Sequence, residues 1–124
     1  MMLFVDDIRN SPDEKKWITA RTNEAACAAI LQFRPEVISI DHDISHQVQL
    51  EKLSRPFPCN DTFTPVVYFL AALYADHPVT QHPRIILHTS NPVGAAKMQQ
   101  ILARFDIECE IKHYGPANRL EMTI

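Results

Sequence analysis

The stretch EVISIDHD, residues 36–43, places a short apolar run directly before two aspartates and a histidine. The apolar run has the length and the β-branched content of a strand, which predicts a buried β-strand that ends at Asp41. Acidic strand ends are common because loops are solvated, so Asp41, His42 and Asp43 alone are compatible with a simple turn into solvent. The elements on either side of the stretch are needed to distinguish that interpretation from a binding site.

Strands and helices alternate on both sides of residues 36–43. The apolar periodicity predicts helices over 22–34, 63–77 and 91–105, the last with Asn91 as N-cap and Pro92 at its first position. Further strands are predicted over 2–5, 16–21, 84–87 and 107–113. This alternation predicts an α/β domain with a mainly parallel sheet whose inner strands are apolar on both faces.

Length and composition narrow the class of protein. The 124 residues are expected to form a single domain, 1–124, and the net charge of −3 argues against bulk DNA binding. The longest apolar run, 66–75, is too short to cross a bilayer, and no signal peptide precedes it, so a cytoplasmic protein without membrane contact is expected. Only two glycines occur, which excludes a glycine-rich phosphate loop.

Polar side chains follow four of the predicted strands, at the point where each strand ends. Ligands of such sheets bind beyond the carboxyl ends of the strands, so these side chains are expected to share one edge. The candidate residues at that edge are Asp6 and Asp7; Asp41, His42 and Asp43; His88, Thr89, Ser90 and Asn91; and Lys112.

The acidic residues of this edge predict a metal site. Four carboxylates, on Asp6, Asp7, Asp41 and Asp43, would repel one another unless a cation balanced them. Hard divalent ions such as Mg²⁺ or Mn²⁺ take oxygen ligands of this kind together with water and a substrate phosphate. For one aspartate a solvated strand end is the better interpretation, but two clusters at neighbouring strand ends favour a metal.

Basic and hydroxyl side chains near the same edge predict phosphate binding. The helix that begins after Asn91 offers its N-terminus to an anion, and Thr89 and Ser90 add hydroxyl donors. Arg9 and Arg21 follow the first two strands and could hold a phosphate, although ion pairs with the acidic cluster are an equal alternative.

Two histidines are candidates for proton transfer. His42 lies between two aspartates and His88 ends an apolar strand, and either can act as a general acid or base near neutral pH. A histidine at a strand end is often only a hydrogen-bonding group, and the convergence with the acids is what favours catalysis.

The order of these motifs resembles the receiver domains of response regulators. That resemblance implies a flavodoxin-like, three-layer fold with a five-stranded sheet in the order 2-1-3-4-5. It also implies that Asp6 and Asp7 form the acidic metal pair and that Asp41 is the phosphate acceptor. Thr89 or Ser90 would be the hydroxyl residue, and Lys112 would contact the phosphate.

A closer resemblance is to the cyclic-phosphate-processing receiver domains. The shared pattern is DDIR-x-x-P at residues 6–12, W-x-x-x-R-T at 17–22, DHD at 41–43 and H-[ST]-x-N-P-x-G-A at 88–95. The resemblance extends over most of residues 3–105 and implies a role in handling cyclic or terminal phosphates of nucleotides or RNA.

The sequence departs from an ordinary receiver on one side of the sheet. Only about ten residues separate the first two strands, near the lower limit for a parallel crossover, and the final helix is not evident in the tail. The first and last helices are therefore expected to be reduced or missing from the same face. We expect that face to be covered by segment 44–61, by the tail, or by a second copy of the chain in a homodimer.

These observations leave three functional hypotheses. The first is a metal-dependent enzyme that hydrolyses a cyclic or terminal phosphate on a small molecule or a nucleic-acid end. The second is a non-catalytic module that binds a nucleotide or a partner at the same edge. The third is a stand-alone receiver that is phosphorylated on Asp41.

Overall fold

The computed structural model describes residues 1–44 and 62–112. The strands of these residues form one five-stranded sheet in the order β2-β1-β3-β4-β5, and every neighbouring pair is parallel. The strands are β1 Met2–Val5, β2 Trp17–Ala20, β3 Val37–Ile40, β4 Arg84–His88 and β5 Cys109–Lys112. The helices are α1 Asn23–Phe33, α2 Thr64–Tyr74 and α3 Pro92–Ala103. The predicted flavodoxin-like order is confirmed.

The register of the sheet brings the polar strand ends together. Val5 is paired with Ile40, and Ile40 is paired with Leu87, so β1, β3 and β4 end side by side. The backbone pairing continues one residue further, because the Asp41 N–H donates to the Val5 carbonyl at 2.9 Å. Residues that lie far apart in sequence therefore reach one edge, as parallel pairing requires.

All three described helices pack on the same face of the sheet. The main core cluster joins that face of the strands, including Val5 and Ile38, to buried residues of α1, α2 and α3 such as Ile30, Leu70 and Met98. Each fully buried side chain of this size stabilises the fold by about 1.5–3 kcal/mol. This core keeps the carboxyl edge of the sheet rigid.

The opposite face carries a smaller apolar cluster of Phe4, Trp17, Val37 and Ile86. The crossover 6–16 between β1 and β2 contains no helix, which confirms that the first helix is missing. The position of a final helix falls within 113–124, and the predicted cover falls partly within 45–61, both outside the described residues. The covered face and the homodimer therefore stay predictions.

Several predicted elements end earlier in the structure than the periodicity indicated. Helix α2 was predicted to reach residue 77 but ends at Tyr74. There the His82 ring, through Nε2, donates to the carbonyls of Tyr74 and His77, at 3.2 and 2.9 Å. Helix α3 ends before Asp106, whose positive φ of 59° reverses the chain toward β5.

Within the described residues no helix has both the length and the apolar character that a membrane span would need.

Helix α1 has a defined cap at each end. Its N-cap is Thr22, whose hydroxyl oxygen accepts a hydrogen bond from the Ala25 N–H at 3.1 Å. Its C-cap is Arg34, which adopts a left-handed conformation with φ of 47° directly before Pro35. The caps satisfy backbone groups that the helix leaves without internal partners.

Thr22→Ala should destabilise the domain by about 1 kcal/mol, because the Ala25 N–H loses its acceptor. Urea unfolding followed by circular dichroism measures the change. Thr22→Ser keeps the hydroxyl and is the matched control. Equal stability of Thr22→Ala and the wild type would show that the cap does not contribute.

Candidate functional site

Three aspartates meet at the carboxyl edge of the sheet. Asp6 and Asp7 follow β1, Asp41 follows β3, and each offers a carboxylate oxygen within 4.8 Å of the others. Asp6 and Asp41 are buried, whereas Asp7 is half-buried. Three carboxylate oxygens at this spacing are the donor set of a hard divalent ion.

Within the described residues, the Asp6 carboxylate accepts hydrogen bonds from two backbone groups and a histidine, and Arg9 Nη1 lies 4.0 Å from its Oδ2. Its Oδ1 accepts hydrogen bonds from the N–H groups of Ile8 and Arg9, at 3.0 and 2.9 Å. Its Oδ2 accepts from Nε2 of His88 at 3.1 Å. Burial by itself would raise the pKa of Asp6, but the hydrogen bonds from His88 and the two backbone groups outweigh it and lower the pKa. Asp6 is therefore ionised at neutral pH.

The pKa of the Asp41 carboxylate is shifted in the opposite direction, upward. Asp41 is 4% exposed, and burial together with the negative charge of Asp6 raises its pKa to about 7. Its Oδ1 accepts from its neighbour's backbone, the His42 N–H, at 2.8 Å, and its Oδ2 lies 3.6 Å from Nη1 of Arg9. One arginine does not compensate the paired carboxylates, and the site fits an added cation on that ground.

His88 lies beneath this cluster and not beside it. Its ring is fully buried, stacked on Phe4 with ring centres 4.3 Å apart, and bonded through Nδ1 to the Ser39 hydroxyl at 2.5 Å. Burial lowers the pKa of His88, so the ring is neutral at pH 7. The structure brings His88 to Asp6 but places its ring inside the protein.

His42 and Asp43 turn toward helix α3. Nδ1 of His42 lies 2.9 Å from Asp43 Oδ1, and the Asn91 side-chain amide donates to both Asp43 oxygens at 3.3 and 3.4 Å. The ring of His42 packs directly on Gly94, where any side chain would overlap it. The predicted set of four carboxylates therefore separates into a cluster of three and an Asp43 carboxylate engaged by His42 and Asn91.

A small cavity of about 160 Å³ opens beside the cluster. It is lined by Asp7, Ile8, Arg9, Asp41, Asp43 and Ser90. Ile8 is 60% exposed, which puts an apolar side chain at the cavity wall.

The other hydroxyl candidate, Thr89, is buried. Its side chain hydrogen-bonds Asp41, and its Oγ1 accepts from the Asn91 N–H at 3.1 Å. Asn91 caps α3 as predicted, because its Oδ1 accepts from the Gly94 N–H at 3.0 Å. Among the predicted phosphate contacts, Arg9 and Ser90 line the cavity, whereas Thr89 hydrogen-bonds Asp41 and Asn91 caps α3.

Arg21 and Lys112 have other contacts. Arg21 donates to the backbone carbonyls of Asp6 and Arg9, at 3.2 and 2.6 Å, and to Asn10 Oδ1 at 2.8 Å, so it braces the loop after β1. Lys112 ends β5 in register with His88, and its charge acts on Glu110. The described hydrogen bonds and ion pairs of Lys112 do not include one to the three aspartates.

Two residues of this site were not identified from the sequence. Ser39 and Phe4 both contact His88, yet both lie inside strands that were interpreted as apolar core. The signal available for Ser39 was a polar residue that interrupts the apolar run of residues 37–40. For Phe4 no local signal exists, because stacking on a histidine depends on the strand order.

Similarity to known proteins extends over most of the chain. The chain matches the family described as "Cyclic-phosphate processing Receiver domain" over residues 1–104. Among solved structures it is similar to the N-terminal domain of a response regulator receiver protein from Methanoculleus marisnigri JR1, with 18% identity and a TM-score of 0.49. That alignment covers 94% of this chain and 85% of the other. No curated protein matched the chain.

In metal-free buffer, Asp41→Asn should stabilise the domain increasingly as the pH rises. In the wild type the folded state holds the Asp41 proton up to about pH 7, whereas the unfolded chain releases it near 3.8. The unfolded state binds fewer protons between these values, so wild-type stability falls across that window. The difference between variant and wild type should grow by up to about 4 kcal/mol.

Urea unfolding at pH 4, 5, 6, 7 and 8 in the presence of a chelator measures this difference. Asp76→Asn, which removes an exposed carboxylate distant in sequence from the cluster, is the matched control. A pH-independent difference for Asp41→Asn would contradict the raised pKa.

Gly94→Ala should destabilise the domain by about 1–3 kcal/mol, because the new methyl group overlaps the His42 ring. In a His42→Ala background the same change should be neutral or stabilising by up to about 1 kcal/mol, since alanine favours the helix. A double-mutant cycle by chemical unfolding measures the coupling. Additive effects of the two substitutions would show that the ring does not pack on Gly94.

Proposed function

The chain belongs to the family of cyclic-phosphate processing receiver domains, and we propose that it hydrolyses a cyclic phosphate of a nucleotide or an RNA end with the help of a divalent cation. The observation that carries this proposal is the meeting of Asp6, Asp7 and Asp41 beside a cavity that also contains Arg9 and Ser90. Residues for a cation and for an anion thus share one edge of the sheet.

The charge balance supports a cation at the three aspartates. Asp6 is kept ionised by its donors, and its charge disfavours ionisation of Asp41, so a divalent ion would relieve the repulsion. Mg²⁺ or Mn²⁺ bound here would supply Lewis-acid polarisation of the phosphoryl group. The protein residues supply the position of the phosphate and the movement of protons.

The dimensions of the cavity support binding of a phosphate group and not of a whole nucleotide. A volume of about 160 Å³ is below the range of about 300–1,000 Å³ that holds an entire organic ligand. The guanidinium of Arg9 and the hydroxyl of Ser90 are placed to donate to phosphate oxygens, and the N-terminus of α3 adds a positive dipole end. The sugar and base would remain outside, next to the exposed Ile8.

The proposed reaction adds one water across one phosphorus–oxygen bond. The oxygen of water bonds to phosphorus, the bond from phosphorus to one sugar oxygen breaks, and a phosphomonoester results. We assign His42, whose side chain is 12% exposed and contacts the cavity-lining Asp43, as the group that takes the proton of water and returns a proton to the leaving sugar oxygen. Its Nδ1 is bonded to Asp43, which leaves Nε2 as the atom that exchanges the proton.

One observation favours a second candidate, a receiver-like module that binds phosphate or accepts it on Asp41 without hydrolysis. Both ring nitrogens of His88 are bonded inside the protein. One of the two predicted proton carriers is therefore withheld from the cavity, and an ordinary receiver needs neither.

We expect the wild type to hydrolyse 2′,3′- or 3′,5′-cyclic nucleotides in the presence of Mg²⁺ or Mn²⁺, with loss of activity on chelation. Asp41→Asn should abolish turnover because the cation loses a ligand. His42→Ala should lower it by about 10²–10⁴-fold, the usual contribution of a general base. Phosphorus NMR of product formation measures the rates, with Asp76→Asn as the control.

The outcomes separate the two candidates. Turnover that is unchanged by chelation and by Asp41→Asn would overturn the enzyme proposal. Cyclic nucleotide binding without turnover would favour the binding module. A phosphoryl mass gain with acetyl phosphate that disappears in Asp41→Asn would favour the receiver.

A further inference from the structure

We infer that His88 is a positioning residue that acts from inside the protein, through a hydrogen-bonded chain from Ser39 to His88 to Asp6. In this role it orients the Asp6 carboxylate for the cation and does not itself move protons of the substrate. The inference rests on the cation site of the proposed function, and it gives a role to Ser39 and to Phe4, which the reaction above does not use.

His88 has no access to the cavity. Its ring is 0% exposed, and it stacks on Phe4 with an angle of 7° between the ring planes. Trp17 packs edge-on against the other side of this arrangement, 5.9 Å from Phe4. A ring held in this way cannot approach a phosphate without disrupting the smaller apolar cluster of Phe4, Trp17, Val37 and Ile86.

The hydrogen-bonding partners of His88 specify which of its ring nitrogens carries the proton. An ionised Asp6 carboxylate only accepts hydrogen bonds, so Nε2 of His88 must donate to it. The neutral ring then has its lone pair on Nδ1, which accepts from the Ser39 hydroxyl. Asp6 therefore selects the tautomer with the proton on Nε2, and the Ser39 hydroxyl, which can donate as well as accept, supplies the partner that Nδ1 then needs.

The hydrogen-bond donors described for Asp6 lie on different elements of the fold. Ile8 and Arg9 bind Oδ1 from the loop directly after β1, so they move with that loop. His88 binds Oδ2 from β4, two strands away across β3. This contact joins residues 82 positions apart, and it holds the carboxylate from a strand other than the one that carries Asp6. Hydrogen-bond partners of a metal ligand typically change metal affinity by about 10–100-fold.

The test compares Mn²⁺ affinity in the wild type, His88→Ala, His88→Gln and Ser39→Ala, measured by the electron paramagnetic resonance of free Mn²⁺. His88→Ala should weaken binding by about 10–100-fold. His88→Gln should restore it to within a few-fold, because the glutamine amide can donate from nearly the same position as Nε2. Ser39→Ala should give an intermediate loss, and Asp76→Asn is the control.

A second measurement needs neither metal nor turnover. Long-range ¹H–¹⁵N NMR of the metal-free wild type should show His88 with its proton on Nε2, and Ser39→Ala should reduce that preference. The fluorescence of Trp17, the single tryptophan, gives a further test of whether the aromatic packing survives in each variant. This keeps the inference testable if His88→Ala fails to fold.

The outcomes distinguish the inference from the proposed function. Absence of Mn²⁺ binding in the wild type would overturn both. Wild-type affinity in a folded His88→Ala would overturn only the positioning role, and so would equal losses in His88→Gln and His88→Ala. A wild-type His88 with its proton on Nδ1 would overturn the proposed hydrogen-bonded chain from Ser39 through His88 to Asp6. Normal Mn²⁺ binding without hydrolysis, together with rescue by glutamine, would support the inference while the enzyme proposal fails.

Discussion

The candidate site is governed by the close approach of two buried carboxylates, Asp6 and Asp41, at the ends of neighbouring parallel strands. The parallel register leaves them no alternative, since each directly follows a paired core residue, Val5 or Ile40. In a poorly solvated site both cannot ionise at low cost. The protein keeps Asp6 charged through three donors, while burial and repulsion hold the proton on Asp41 up to about pH 7. This uncompensated pair is the feature of the edge that a bound cation would balance.

The two faces of the sheet serve this site differently. The face covered by α1, α2 and α3 contains the larger core, and α3 begins beside the site, where Gly94 admits the His42 ring. His88 lies on the opposite face of the sheet. It directly follows core residues of β4, but its ring is hydrogen-bonded to Ser39 and Asp6. One histidine therefore faces the helical side, and the other supports the carboxylate from the opposite side. The two are not interchangeable, although the sequence made them look equivalent.

Much of the fold and part of the site could be predicted without coordinates. The apolar runs and their spacing predicted all five strands and three helices, because alternation and helical periodicity are local properties. The convergence of Asp6, Asp7 and Asp41 followed from the topology alone. Local composition could not predict that Arg21 would brace a loop or that Asp43 would turn to Asn91, because both contacts depend on side-chain directions. The early end of α2 likewise required the approach of His82 from a later segment.

The sequence by itself determined the element order, the family pattern and the acidic edge, since each follows from residue type and spacing along the chain. Only the tertiary structure decided what each polar residue does at that edge. Burial, the direction of a ring and the partner of each nitrogen are properties of neighbours that lie up to 82 positions apart, as for His88 and Asp6. For that reason the three residues of DHD, 41–43, have different roles. Asp41 faces the carboxylate cluster, whereas His42 and Asp43 contact α3.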